Sequence, residues 1–128
     1  MMHYAISKET SLGFSEAIQK VTTLLQREGF GILTTIDVQD TLKKKLDTDV
    51  GEYVILGACN PRFAYKALQA ETDVGLLLPC NVIIYRKERN TRVAAFDPLS
   101  MTAFINNEQI RPVAEEVRSK LQMVIRDI

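Results

Sequence analysis

The spacing of apolar residues predicts two long amphipathic helices. From Phe14 to Leu25, apolar side chains recur every three or four positions, and Gly29 follows where a left-handed C-terminal cap is expected. The same spacing returns between Ile110 and Ile125, with Asn106 or Asn107 as the N-cap. Pro112 then lies in the first turns of this second helix or marks a kink.

Shorter apolar runs predict the strands. Four of them cover residues 2–7, 30–38, 52–58 and 92–97. In the second strand, alternation places Ile32, Thr34 and Ile36 on one face. Residues 74–88 are almost continuously apolar, but Pro79 interrupts them. Because proline cannot donate to a strand ladder, this run predicts either one long strand bent at a bulge or two shorter strands.

Two short helices complete the predicted elements. Leu42 and Leu46 lie four residues apart in a polar segment, 40–47, that is typical of a helix docked by one edge. A second short helix is predicted from Pro61 to about Glu71, with Asn60 as its N-cap. The faces that these patterns bury predict one core, formed by Val21, Leu25, Val54, Leu56, Leu77, Ile83, Val117 and Leu121.

Composition limits the partners and the compartment. The chain has 128 residues, a length that predicts a single domain over 1–128. Its 16 basic and 16 acidic side chains give no net charge, so we expect neither nucleic acid nor a membrane surface as a partner. The N-terminus lacks the basic head and long apolar run of a signal peptide, and the two cysteines form no disulfide framework. These features predict a cytoplasmic protein with free thiols.

Two cysteine tripeptides are the best candidates for a site. They are Cys59-Asn60-Pro61 and Pro79-Cys80-Asn81. Cys59 lies beside a predicted helix N-terminus, where the helix dipole lowers a thiol pKa, and Cys80 lies at the predicted bend of a strand. The alternative is structural: free cysteine is often buried as a small hydrophobic residue, and asparagine caps helices and occupies turns.

Metal binding and classical hydrolase chemistry are disfavoured. Structural zinc needs four Cys or His ligands, and the chain has three such residues, His3, Cys59 and Cys80, far apart in sequence. One histidine near the terminus cannot support a Ser-His-Asp arrangement with a glycine-flanked serine, and no such serine is present. No metal and no cofactor are therefore expected.

Several segments resemble one family. They are Phe14-Ser15-Glu16-Ala17, Gly29-Phe30, Gly57-Ala58-Cys59-Asn60-Pro61, Gly75 to Val82 and Asp97-Pro98. Together they resemble the uncharacterised "domain of unknown function 302" proteins, over nearly the whole chain. The resemblance implies an α+β fold, a curved antiparallel sheet with helices packed on one face. It also implies a β-α-β4-α topology similar to one repeat of the TATA-box-binding protein, and often a dimer. The short helices predicted from the residues after Val38 and Asn60 are additional to that topology. The resemblance implies no chemistry.

Three function hypotheses follow. The first is a binding or sensing module that holds a small ligand or partner peptide in a crevice near Cys59, Asn60, Pro61, Pro79, Cys80 and Asn81. The second is a thiol-dependent enzyme or sulfur carrier that uses Cys59 and Cys80. The third is a purely structural dimeric assembly protein. The first is preferred because no general base lies near either cysteine in sequence. Separately, we expect the protein to be a homodimer.

Overall fold

Five antiparallel strands form one sheet in the computed structural model, which describes residues 3–128. The strands are β1 (Ala5–Thr10), β2 (Gly31–Asp37), β3 (Tyr53–Cys59), β4 (Cys80–Lys87) and β5 (Asn90–Phe96). Their order across the sheet is β1-β5-β4-β3-β2, so β1 and β2 are its two edges. The first and last strands in sequence are therefore neighbours, and Ala5 lies opposite Phe96.

Helices cover one face of this sheet. They are α1 (Phe14–Arg27), α2 (Val38–Leu46), α3 (Pro61–Ala70) and α4 (Ile110–Arg126), with 3₁₀ helices at Thr72–Leu77 and Pro98–Ala103. Helices α1 and α4 pack on each other and on the sheet. The α+β prediction is confirmed, and the element order is β-α-β4-α with α2 and α3 inserted. The similarity to one repeat of the TATA-box-binding protein stays an implication of the resemblance.

The core lies between the sheet and the two long helices. Alternation along the strands turns Val54, Leu56, Val82, Ile84 and Val93 towards α1 and α4, where all five are buried. The predicted core residues of the long helices, Val21, Leu25, Val117 and Leu121, are buried in the same cluster. Leu77 is half-buried against a second, smaller cluster around Val74 and Met101.

The prediction that Ile83 belongs to the core is wrong. Its neighbours Val82 and Ile84 face the helices, and since strand side chains alternate, Ile83 lies on the opposite face. There it pairs with Ile55 on one side and Ala94 on the other. The second face of the sheet is therefore apolar along its middle, where Ile55, Ile83 and Ala94 lie side by side. No α-helix among residues 3–128 covers these three residues. We call this second face the open face.

Two strand predictions also need correction. In β2 the register shifts between Ile32 and Thr34, so Ile32 lies opposite Ala58 on the core face, whereas Thr34 lies opposite Gly57 on the open face. In the run 74–88, neither predicted alternative occurs: a 3₁₀ helix buries Val74, and β4 starts only at Cys80. The first strand begins at Ala5, later than predicted, and Met2 lies outside the described residues.

Two polar anchors hold α4 to the sheet. The buried Asp97 accepts hydrogen bonds from the Leu99 backbone N–H and from Arg118 Nε, at 3.0 and 2.9 Å. The Lys8 ammonium of β1 donates to the carbonyl oxygens of Arg126 and Ile128, both at 2.9 Å. Because these carbonyls lie at the C-terminal end of α4, the contact satisfies acceptors that the helix leaves free. Helix α4 starts after Gln109, not at the predicted asparagine caps.

We expect neighbouring isoleucines of β4 to differ sharply in their contribution to stability. Ile84 is 0% exposed in the core, so Ile84→Ala should lower the free energy of unfolding by about 2–5 kcal/mol. Ile83→Ala, on the open face, should cost less than half of that. Urea unfolding followed by circular dichroism measures both values, and equal losses would contradict the assignment of the two faces.

Candidate functional site

The fold brings the two cysteine tripeptides to the same end of the sheet. Cys59 ends β3 and is followed by Asn60 and Pro61 at the start of α3, while Cys80 and Asn81 begin β4. Strands β3 and β4 are neighbours, and Ala58 lies opposite Cys80. Four of the six predicted site residues line one internal cavity: Cys59, Asn60, Pro79 and Cys80. Pro61 and Asn81 do not line it.

This cavity lies on the helix side of the sheet and is apolar. Its volume is about 40 Å³, and Phe30, Phe63, Met101 and Val117 contribute to its wall. Pockets for drug-sized ligands have volumes of about 300–1,000 Å³, so the cavity is too small for such a ligand. A cavity of this volume supports a packing role for the residues around the two thiols and does not support ligand binding.

A larger groove lies on the open face, at the same end of the sheet. Its volume is about 360 Å³. Most of its wall is apolar, and Asn81 supplies a side-chain amide. The lining consists of Tyr4, Ala5, residues 76–79, Asn81, Ile83 and residues 94–96. Leu78 and Pro79 line both the groove and the internal cavity, so they form the wall between them.

Gly57 in β3 lets this wall approach the sheet. A Cβ atom at Gly57 would lie 2.8 Å from Pro79 Cγ and would collide with Thr34 Oγ1. Both distances are far shorter than a van der Waals contact, so a side chain larger than hydrogen would displace Pro79, Thr34 or both. The position of the segment around Pro79 therefore depends on Gly57, which lies opposite Asn81 in the pairing of β3 with β4.

Burial raises the pKa of both thiols. Desolvation is the main cause for Cys80, whose pKa rises to about 11, and the nearby Cys59 adds to the effect. Desolvation also raises the pKa of Cys59. The predicted depression of the Cys59 pKa is therefore wrong: although Cys59 lies next to the N-terminus of α3, the loss of solvent around the sulfur raises its pKa. Both cysteines are free and half-buried.

The predicted cap at Asn60 is only half right. Asn60 occupies the N-cap position of α3, but its side chain makes no capping hydrogen bond. Its amide Nδ2 instead donates to the carbonyl oxygen of Glu28 at 3.2 Å. That carbonyl precedes Gly29, whose φ of 87° ends α1 in the left-handed region as predicted. Asn60 thus ties the start of α3 to the end of α1.

Two classes of site are not found among residues 3–128. No group of three or more His, Cys, Asp and Glu side chains is arranged to hold a metal ion. No helix in this part of the chain is both long enough and apolar enough to cross a membrane.

Comparison with known proteins gives the family. The family of the domain of unknown function DUF302 matches residues 6–128. The chain belongs to the DUF302 family. A crystal structure of an uncharacterized conserved DUF302 protein from Bacillus stearothermophilus is similar, with a TM-score of 0.91, 26% identity and coverage of 98% of each chain. No curated protein matches the chain significantly. The resemblance seen in the sequence is confirmed, and it brings no assigned activity.

The groove was not predicted from the sequence. The only available signal was alternation in β4, which places Asn81 and Ile83 together on the face opposite to Val82. Tyr4 and Phe96 join them through the pairing of β1 with β5, a contact between distant parts of the chain.

Substitution of Asn60 should separate its role as a donor from that of a helix cap. Asn60→Asp keeps a good N-cap acceptor but loses the amide donor and points a carboxylate at the Glu28 carbonyl. We expect Asn60→Asp to lower the free energy of unfolding by about 1 kcal/mol. A capping role would leave the Asp variant as stable as the parent protein. Thermal and urea unfolding at pH 7 measure the difference.

Alkylation rates should reflect the raised thiol pKa values. Only the thiolate reacts, so Cys80, studied in Cys59→Ser, should stay unmodified at pH 7 and become reactive only as the pH approaches about 11. Cys59, studied in Cys80→Ser, should react more slowly than free cysteine at pH 7. Iodoacetamide labelling followed by mass spectrometry gives both profiles. Reaction of either thiol faster than free cysteine at pH 7 would contradict the direction of these shifts.

Proposed function

We propose that this DUF302 protein is a binding module that takes a small, uncharged and mostly apolar ligand in the groove on the open face. The volume of the groove is the observation that carries the proposal: about 360 Å³ lies within the range of about 300–1,000 Å³ that is typical of small-molecule pockets. Two of the six residues predicted for the ligand site, Pro79 and Asn81, line the groove, and the other four do not.

The lining residues define the class of ligand. No charged side chain lines the groove, so an ionised ligand would lose hydration without gaining a counter-charge. The amide of Asn81 and the hydroxyl of Tyr4 supply the polar contacts. A neutral ligand with one apolar body and one or two hydrogen-bonding groups fits this combination.

The two cysteines fit a supporting role behind the groove. Cys59 and Cys80 line the internal cavity on the far side of Leu78 and Pro79. Their raised pKa values argue against the thiol-dependent enzyme or sulfur carrier, because such chemistry needs a thiolate near neutral pH. In this proposal they fill space and hold the wall in place.

The assembly and the compartment are proposals as well. A homodimer is supported by the open sheet, whose edge strand β2 is paired on one side only. A purely structural dimeric role would need the same assembly but no ligand. A cytoplasmic location is supported by the two free thiols, and the balanced charge gives no support for nucleic acid as a partner.

Titration with Nile red, a neutral aromatic dye, tests the groove. The parent protein should give a saturable rise in dye fluorescence, and Ile83→Glu should weaken dye binding at least tenfold because it places a charge in the groove. Ile55→Glu is the matched control: Ile55 lies directly opposite Ile83 on the same face but does not line the groove. Circular dichroism verifies that both variants are folded.

The outcomes are distinct. Loss of binding in Ile83→Glu alone supports the groove. Equal loss in both folded variants, or no saturable binding by the parent protein, contradicts the proposed function.

A further inference from the structure

We propose that two copies of this chain associate through β2, with each β2 pairing antiparallel to the β2 of the other copy, so that one sheet continues through both molecules. The inference deepens the proposed homodimer, on which it rests, by naming the interface. It starts from a difference between the two edges of the sheet.

Edge β2 carries no lysine and no proline, and its one charged residue, Asp37, lies at its end. Residues 31–36 read Gly-Ile-Leu-Thr-Thr-Ile, with no lysine, no proline and no charge. Natural edges are blunted by such residues or covered by other elements. Among residues 3–128, β2 is paired on one side only, with β3. Its outer backbone N–H and C=O groups therefore offer a strand-length template for hydrogen bonds.

Edge β1 is protected in both ways. It carries Lys8 and Glu9, and the Lys8 ammonium reaches back to the last carbonyls of α4. Helix α4 packs against β1. Edge β1 thus carries two charged side chains within the strand, whereas the charge of β2 is confined to Asp37 at its end, which points to association at β2 and not at β1.

Four exposed large apolar side chains lie at or just after β2. Leu33 and Ile36 lie on the strand and are 64% and 46% exposed, while Leu46 and Val50, at 68% and 46%, lie in the segment that connects β2 to β3. Each copy thus brings four large apolar groups to this part of the molecule. Water would be removed from them if a second strand docked on the edge.

The geometry favours a second copy as the occupant. An antiparallel edge strand is its own complement under a two-fold axis, so both copies use the same surface. Residues 31–36 carry no charge that would select an acidic or basic partner strand. Beyond the bulge at Leu33, residues 34–37 keep an unbroken register with β3, so the strand stays straight enough to extend the ladder.

Analytical ultracentrifugation at micromolar concentration tests the interface. The parent protein should sediment at twice the 14.5 kDa of one chain. In Leu33→Lys/Thr35→Lys, lysines on exposed positions of β2 would face each other across the axis, so the dimer dissociation constant should rise at least tenfold. Met123→Lys, an exposed apolar residue of α4, and Ile55→Glu, on the open face, should remain dimeric.

Cysteine cross-linking gives an independent measurement. Single cysteines placed in turn at Leu33, Thr34 and Thr35, in Cys59→Ser/Cys80→Ser, should yield a covalent dimer on oxidation at one position or more, whereas Ser7→Cys on β1 should not. A monomeric parent protein overturns both the homodimer and this interface. A dimer that survives the lysine substitutions, or that is lost in Ile55→Glu alone, overturns the β2 interface and leaves the homodimer standing.

Discussion

The close contact between Pro79 and Gly57 is the constraint on which the arrangement of the site depends. Because Gly57 has no side chain, the segment that leads into β4 can cross the end of the sheet directly above β3. The crossing places Leu78 and Pro79 between the internal cavity and the open-face groove. It also starts β4 at Cys80, opposite Ala58, so the two thiols come to lie on one cavity.

Local pattern was sufficient for most of the fold. The long helices and the strands β3 and β5 follow from apolar spacing, because each has one face that must be buried. Prediction failed where a tertiary contact overrides a local pattern. The bulge at Leu33 depends on pairing with β3, and the 3₁₀ helix forms because Val74 packs with Met101 and Ile110, a contact that apolar spacing within 74–88 does not reveal.

The sequence singled out the two cysteine motifs as candidates but did not show that they lie together. That juxtaposition comes from the pairing of β3 with β4, which places four of their six residues on one cavity. Thiol pKa values depend on desolvation, which is set by side chains such as Phe30 and Val117 from elsewhere in the chain. Asn60 illustrates the same limit: the acceptor that it uses, the Glu28 carbonyl, lies 32 residues away.

The pairing of β1 with β5 has a consequence for how the chain folds. The first strand to be synthesised pairs with the last, so Ala5 can pair with Phe96 only after Phe96 has left the ribosome. Contacts between residues so far apart in sequence close large loops, and proteins dominated by them fold slowly. Until then β1 has no strand to pair with. The nascent chain therefore passes through a stage in which its first strand is made but unpaired, and Ile6, which packs against the core in the folded protein, remains exposed to solvent.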